Sequence, residues 1–294
     1  MDTMTIDLHT HSTASDGAVE PGELVRRAAG AGLSVLALTD HDSFGGVGAA
    51  AAGLPLGLTL IPGVELSCET LIGEERLTLH LLAYLPNQNH GPLVEVMAHT
   101  VESRDGRARQ MVALLSADGH EISWPQVAKL AGGAAVGKPH IARALVDAGV
   151  LATVGEAFTY RWFGPGGPYR VRKWQPDITH AIELVRDAGG VPILAHPFGE
   201  KRGAGLTGEH LEQMARAGLA GLEVFHPEHD AAARRELLGI AASLGLIVTG
   251  SSDYHGPPIK SQELGAETTS RLNYERIIAM ATGARPITRS SSSA

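Results

Sequence analysis

The amino-acid sequence predicts an α/β barrel that carries a helical insertion, and three features of its patterning lead there. Short apolar runs alternate with helical patterns over the first hundred residues. That alternation stops between about His99 and Lys173, and from Asp177 it resumes. Strands that are apolar on both faces, with helices between them, are what a parallel sheet or barrel requires. A chain of 294 residues is long enough to bury a barrel-sized core and still carry an inserted domain. The expected organisation is a discontinuous barrel over 1–98 and 174–288, a helical insertion or cap over 99–173, and a polar, disordered tail over 289–294.

The elements follow in order. Thr5–Leu8 is a short strand candidate, and Pro21–Ala31 reads as a helix with proline in its first turn. Ser34–Thr39 is a compact apolar run ending in Asp40-His41-Asp42, and Leu58–Ile61, Val64–Ser67 and Leu77–Tyr84 are strand-like. Within the insertion, Thr100–Leu115 and Pro139–Ala148 have helical patterns, and Phe163-Gly-Pro-Gly-Gly-Pro168 is a turn-rich break. The rhythm then runs helix 177–188, strand 191–195, helix 207–217, strand 220–225, helix 230–244 and strand 246–250.

Composition excludes several classes. With 44% hydrophobic and 19% charged residues the chain is globular, and a formal charge of -8 argues against a general nucleic-acid coat protein. The single cysteine, Cys68, cannot form an intrachain disulfide, which fits a reducing compartment. No signal-peptide pattern precedes Leu8 and no uninterrupted apolar stretch has the length of a membrane span, so the expectation is a cytoplasmic protein without a membrane partner.

Chemistry enters with the 14 histidines, or rather with where they fall. His9 and His11 form a His-x-His just after the first strand, and residues i and i+2 of a strand point to the same side. Alone that is a weak signal, since two histidines at a strand end are often polar rim residues. The pattern repeats, however. Asp16 follows in the next loop, His41 ends the second strand, Glu65 sits in Pro62-Gly-Val-Glu65, and His80 lies inside an apolar strand. His196 ends another strand in Ile193-Leu-Ala-His-Pro197, and Asp253 and His255 end the last. Parallel α/β barrels build their chemistry at the C-terminal strand ends. A histidine inside an apolar strand must find a partner or remain unsatisfied at a cost. Six histidines, two aspartates and one glutamate converging by one rule are hard to satisfy without cations. Imidazole plus carboxylate without cysteine favours zinc, manganese or iron over an all-oxygen calcium site.

Asp7-Leu-His-Thr-His-Ser12, Leu38-Thr-Asp-His-Asp42, Gly63-Val-Glu-Leu-Ser67, Leu194-Ala-His-Pro197 and Ser252-Asp-Tyr-His255 together resemble the polymerase and histidinol phosphatase (PHP) superfamily. In the insertion, Gly137-Lys-Pro-His-Ile-Ala-Arg143 and Pro168-Tyr-Arg-Val-Arg-Lys-Trp174 resemble its stand-alone branch, which acts on nucleotides and short RNA ends and includes 3′,5′-nucleoside bisphosphate phosphatases. The resemblance implies a distorted (β/α)7, TIM-like barrel and three divalent ions, with manganese expected and zinc or iron as alternatives. It implies that His9, His11, Glu65 and Asp253 hold one ion, and that Glu65 bridges to a second held by His80 and His196. Asp16, His41 and His255 would hold the third.

The reaction expected is hydrolysis of a phosphate ester by a metal-bridging hydroxide, with Glu65, Asp253 and His255 at the catalytic centre. Lys138, His140, Arg143, Arg170, Arg172 and Lys173 form two basic clusters suited to phosphate, and His140 at a helix start is the best placed. Arg143 reads equally well as a solvated helix-face charge. Lys138 stands where family members often have arginine, and lysine lacks the bidentate fork. His226 and His229 lie after the strand Gly221–Phe225 and either line the pocket, where they could assist protonation, or sit in an exposed loop. The expected partner is a small phosphorylated substrate, a nucleotide or short RNA, with no stable protein partner. Histidinol phosphate or another small phosphomonoester is the alternative substrate, and a non-catalytic metal-binding regulatory module is the alternative class.

Overall fold

A computed structural model describes residues 4–132, 136–199 and 205–289. Positions 290–294 of the expected tail lie outside the described residues. The chain divides into two compact units, Met1–Met97 with Pro176–Ala294, and Ala98–Gln175.

The first unit is built on one sheet whose strands β1 (Ile6–Asp7), β2 (Val35–Leu38), β3 (Thr59–Ile72), β4 (Glu75–Tyr84), β5 (Val191–Leu194), β6 (Gly221–Phe225) and β7 (Ile247–Gly250) neighbour one another in chain order. A parallel bridge between Thr10 and Tyr254, just past β1 and β7, ties the two ends together, so the sheet is a nearly closed barrel. A further strand, β8 (Ile287–Thr288), adds antiparallel to β3 at Thr59 and Leu60. The side-chain period of two sorts the residues of a strand between two apolar clusters, one on each face. In β2, Val35 and Ala37 join one apolar cluster with Ile6, Ile61 and Ile193, whereas Leu36 and Leu38 join another with Leu24, Val25 and Ala28. Both faces of the strand are therefore dry, which is why it reads as an unbroken apolar run.

Helices cover the outside. In α1 (Pro21–Gly30) Leu24, Val25 and Ala28 bury one face while Glu23 pairs with Arg26 and Arg27 on the other. The short α2 (Val47–Ala52) follows β2. The later helices start where the chain supplies a side-chain acceptor. Asp177 takes the Thr179 N–H before α6 (Ile178–Asp187), and Asp230 takes those of Ala232 and Ala233 before α8 (Ala231–Leu244). Each such cap contributes about 1 kcal/mol. The helix α7 (Gly208–Ala217) stops at Gly218, whose φ of 106° only glycine adopts cheaply. Ser270 caps α9 (Arg271–Met280), which the apolar rhythm did not announce.

The sheet departs from the expected parallel arrangement in two places. The two strand-like runs Leu58–Ile61 and Val64–Ser67 are one 14-residue strand, β3. Pro62-Gly63 usually punctuates, but here a Cβ on Gly63 would lie 3.0 Å from the Ala83 carbonyl and the Thr39 methyl, so glycine lets neighbouring strands close in. Secondly, β4 is antiparallel to both β3 and β5. Only two residues, Gly73 at φ 62° and Glu74, separate β3 from β4, and so short a link cannot return a parallel strand.

The second unit is helical. It contains most of α3 (Gly91–Ala117), then α4 (Trp124–Leu130), α5 (Lys138–Asp147) and a 3-10 turn at Val154–Phe158. Its own core gathers Met111, Leu115, Val127, Ile141, Leu145 and Phe163. The helix expected over Thr100–Leu115 is longer at both ends, and α4, with its Ser123–Gln126 capping box, is additional.

Candidate metal centre

Six strands deliver these candidate ligands to one rim. His9 and His11 follow β1, His41 follows β2, His196 follows β5, and Asp253 and His255 follow β7. Glu65 lies within β3, beyond the part that pairs with β2 and level with His41. His80 lies within β4, immediately before the segment Leu81–Tyr84 that pairs with β5. Because β4 runs the opposite way, its entry into the barrel meets the same rim as the exits of its parallel neighbours.

The geometry centres on Glu65, which is 1% exposed. Its Oε1 has His80 Nδ1 at 2.5 Å and His196 Nε2 at 3.1 Å. Its Oε2 has His9 Nε2 and His11 Nε2 each at 3.2 Å, and His41 Nδ1 at 3.1 Å. The five imidazoles surround it in a closed circuit. Neighbouring ring centroids, in the order His9, His11, His41, His80, His196 and back to His9, lie 5.1, 4.7, 4.8, 5.3 and 5.9 Å apart. Asp253 Oδ1 lies 3.5 Å from His9 Nε2 and 3.4 Å from His11 Nε2. On the other side of His11, Asp16 reaches His11 and His41 at 3.6 Å and His255 at 3.4 Å. Asp16 is the open edge of the cluster, its side chain 52% exposed.

Three sets of ligand-type atoms lie within 4.8 Å of one another: His11, Asp16, His41 and His255; His9, His11 and Asp253; and His41, Glu65 and His80. The sequence-based grouping differs in detail. His41 rather than His196 completes the set around Glu65 and His80, and His11 faces two sets, while His196 reaches the centre through Glu65 Oε1. The donor set fits divalent cations. His9 Nε2 and His11 Nε2 face each other at 3.1 Å, and His11 Nδ1 is buried with no hydrogen-bond partner among the described residues. Neutral rings cannot satisfy five nitrogens on two carboxylate oxygens, and five charged rings would repel.

The electrostatics follow. Burial pushes the Glu65 carboxyl up, but His80, His41 and His9 outweigh it and hold it well below the usual range. Asp253 and Asp16 are likewise held well below against burial, Asp253 chiefly by His9 and His11, Asp16 chiefly by His41 and His255. Burial pushes His11 down, yet Asp253 and Glu65 raise it to about 9.

Three more aspartates pin the loops that carry ligands. Asp7 accepts from Ser252 N and Oγ and from Gly265 N, beside Asp253. Asp42 accepts from Ser67 N and Oγ. Asp40 accepts from Ser12 N, Ser12 Oγ and Ser15 Oγ, each at 2.7 Å. This folds the Ser12–Asp16 loop back onto β2. Replacing Asp40 with alanine would strand three donors at a cost of about 1–3 kcal/mol and loosen Asp16. The expected outcome is a lower unfolding temperature together with less bound metal by atomic emission; unchanged metal content would show that the loop holds Asp16 without Asp40.

Two side chains at this rim were not legible. Glu223, in the middle of β6, is fully buried beside His9, and Lys260 forms an ion pair with Asp253 Oδ2. A glutamate in Gly-Leu-Glu-Val-Phe reads as an outward strand position, and Lys260 as a loop charge. His226, left open between pocket and loop, is 1% exposed with Nε2 3.3 Å from Asp253 Oδ2. His229 is buried too, donating from Nδ1 to the Val224 carbonyl at 2.9 Å.

Within the helical unit, Lys138 opens α5 and its Nζ lies 3.4 Å from the Phe163 carbonyl. Burial, with Arg107 and Arg170 nearby, lowers it to about 8. Arg107 was not anticipated; its Nε is buried without a partner among the described residues, and burial lowers it to about 10. Arg170 is exposed and Lys173 half-buried. His140 accepts the Gly137 N–H at Nδ1, 3.0 Å away, which closes the first turn of α5. Arg143 is exposed and donates to Asp147 at 2.8 Å, the arrangement of a solvated helix-face pair.

Known proteins share this architecture. A family model described as "PHP domain" matches residues 7–120. A 3′,5′-nucleoside bisphosphate phosphatase of Chromobacterium violaceum is 32% identical over 88% of this chain and 90% of its own length. A 5′-3′ exoribonuclease of Haemophilus influenzae is 32% identical over 87% and 91%. A solved structure from Bifidobacterium adolescentis, assigned provisionally as a metal-dependent phosphoesterase, superimposes with a TM-score of 0.82 at 33% identity, covering 95% of this chain and 97% of that one. With the motif order, the barrel and these likenesses in agreement, the chain belongs to the PHP-domain family of metal-dependent phosphoesterases.

Proposed function

We propose that this protein hydrolyses phosphate esters of nucleotides, namely 3′,5′-nucleoside bisphosphates or nucleoside monophosphates, with short 5′-phosphorylated oligoribonucleotides as extended substrates. The observation that carries the reading is Glu65 with five imidazole nitrogens within 3.2 Å of its two oxygens. The relatives' names supply the substrate class: one is a bisphosphate phosphatase and another a 5′-3′ exoribonuclease. In this reading His9, His11, Glu65 and Asp253 would hold one ion, Glu65, His80 and His196 a second with His41 adjacent, and Asp16, His41 and His255 a third. Manganese is the first choice, zinc and iron the alternatives.

Bound divalent cations supply Lewis acidity, lowering the pKa of water near phosphorus and offsetting phosphoryl charge. The chain's own groups do the rest. Glu65 presents Oε2 to His9, His11 and His41 and Oε1 to His80 and His196, and Asp253 presents Oδ1 to His9 and His11 while His226 and Lys260 occupy Oδ2. His226 accepts the Glu228 N–H at Nδ1, so its proton resides on Nε2, facing Asp253. In the helical unit we assign Lys138, His140, Arg170 and Lys173, with Arg107 added and Arg143 peripheral, to a second phosphate. The proximity of Lys138 to Arg107 and Arg170 supports this, since a dianion offsets their mutual repulsion.

Manganese-loaded protein should be assayed against a nucleoside 3′,5′-bisphosphate, a nucleoside monophosphate, histidinol phosphate and a 5′-phosphorylated dinucleotide. The nucleotides are expected to turn over fastest. Preference for histidinol phosphate would overturn the substrate assignment, and no turnover with the metal site full would favour a regulatory metal-binding role. Replacing His140 with alanine should raise KM for the bisphosphate about tenfold or more, the loss of one charge-assisted hydrogen bond, and spare the monophosphate. Equal loss on both would remove His140 from the second-phosphate site.

A further inference from the structure

Glu223 is as deeply buried as any ligand candidate, at 0% exposure, yet it falls in none of the three ligand sets. Its oxygens are engaged by three donors from three different strand ends. His9 Nδ1 lies 3.0 Å from Oε1, the Ser251 hydroxyl donates to the same oxygen, and the His196 backbone N–H donates to Oε2 at 2.9 Å. An imidazole whose Nδ1–H is held by a carboxylate has its lone pair at Nε2. For His9 that atom is the one facing His11 Nε2 at 3.1 Å and Glu65 at 3.2 Å.

His196 needs support of another kind. Its φ of 28° is a strained setting for a residue with a Cβ, maintained only where the surroundings over-determine it. The N–H anchored on Glu223 Oε2 is one such constraint, and it aims the ring so that Nε2 stands 3.1 Å from Glu65 Oε1. One carboxylate therefore governs the ring nitrogen of one ligand and the backbone of another.

We propose that Glu223 is a positioning residue of the metal centre, holding His9 and His196 so that both present Nε2 toward Glu65. The inference rests on the metal-centre reading above but not on any particular substrate. In Glu223→Gln the side-chain shape is kept, but the amide nitrogen cannot accept the third donor, so either His9 or His196 loses its anchor.

The full-length variant, loaded with manganese and followed by titration calorimetry, should bind the metal about 10–100-fold more weakly than wild type, with its far-UV circular dichroism unchanged. Ser251→Ala, which removes one donor and keeps the carboxylate, should weaken binding by less. A second readout needs no turnover and no variant. In zinc-loaded wild type, nitrogen-proton NMR should find the His9 ring proton on Nδ1. Manganese affinity unchanged in Glu223→Gln would overturn the proposal. So would a His9 Nδ1 without a proton, which decides the matter even if the glutamine variant does not fold. Wild type that binds manganese but hydrolyses no nucleotide would remove the substrate assignment and leave this inference standing.

Discussion

Replacing Glu65 with glutamine is expected to lower turnover by about a thousandfold and to reduce the bound metal by at least one ion per chain. The carboxylate is the one group within 3.2 Å of five imidazole nitrogens, so it touches more ligand side chains than any other residue of the rim. An amide has nearly the same shape but no charge, and its nitrogen end would face imidazoles it cannot serve as an acceptor. Metal-ion stabilisation of a phosphoryl transition state is worth several kcal/mol, and about 4 kcal/mol corresponds to a thousandfold in rate. Steady-state hydrolysis and metal analysis on the same preparation check it, with thermal unfolding as a control for the fold. Full metal content with wild-type turnover would show that Glu65 is a structural acceptor for histidines.

The second large effect is a pH dependence of metal affinity. In metal-stripped protein His11 keeps its proton up to about pH 9, because Asp253 and Glu65 outweigh burial. His9 is raised well above its ordinary value by Glu65, Glu223 and Asp253, again against burial. A metal ion needs the neutral ring, so binding below these values must release protons. Affinity should then rise about tenfold per pH unit for each proton released, or about a hundredfold for one proton between pH 6.5 and 8.5.

Stability of the stripped protein has the opposite slope. A raised histidine contributes stability that is complete below its unfolded value near 6.5 and disappears as pH passes about 9. Glu223 works the other way. Burial raises it, but His9, His226 and His196 hold it at about 2, so its contribution is present above 4.5 and is lost as pH falls toward 2. The gap in unfolding temperature between manganese-loaded and chelator-treated protein should therefore widen from pH 6.5 to 9. A gap that is constant over that range would mean that the rim histidines are already neutral before metal arrives.

No helix among the described residues is long and apolar enough to cross a membrane. The helical unit gathers cations although the whole chain carries a formal charge of -8, which is a local arrangement that overall charge conceals.

The linear chain was sufficient for the barrel, and it supplied the expectations of an interruption at about His99 and of ligand-type residues at the strand ends. Each is written in local terms, as an apolar run two-faced enough for a buried strand or as a histidine where such a run stops. The geometry that the sequence could not express is all non-local. That β4 enters the barrel backwards depends on a two-residue link at Gly73, and it decides that His80 meets the rim from its strand's entry. That Glu65 faces five rings at once depends on sheet closure, completed by the Thr10–Tyr254 bridge between positions 244 apart in the chain. Glu223 looks like an outward strand residue until closure places His9 and His196 on either side of it. Arg107 looks like any helix-face charge until Lys138 and Arg170 fold in beside it. Residue chemistry and period are carried one position at a time, whereas which side chains share a volume is set only when strand register and barrel closure remove the water between them.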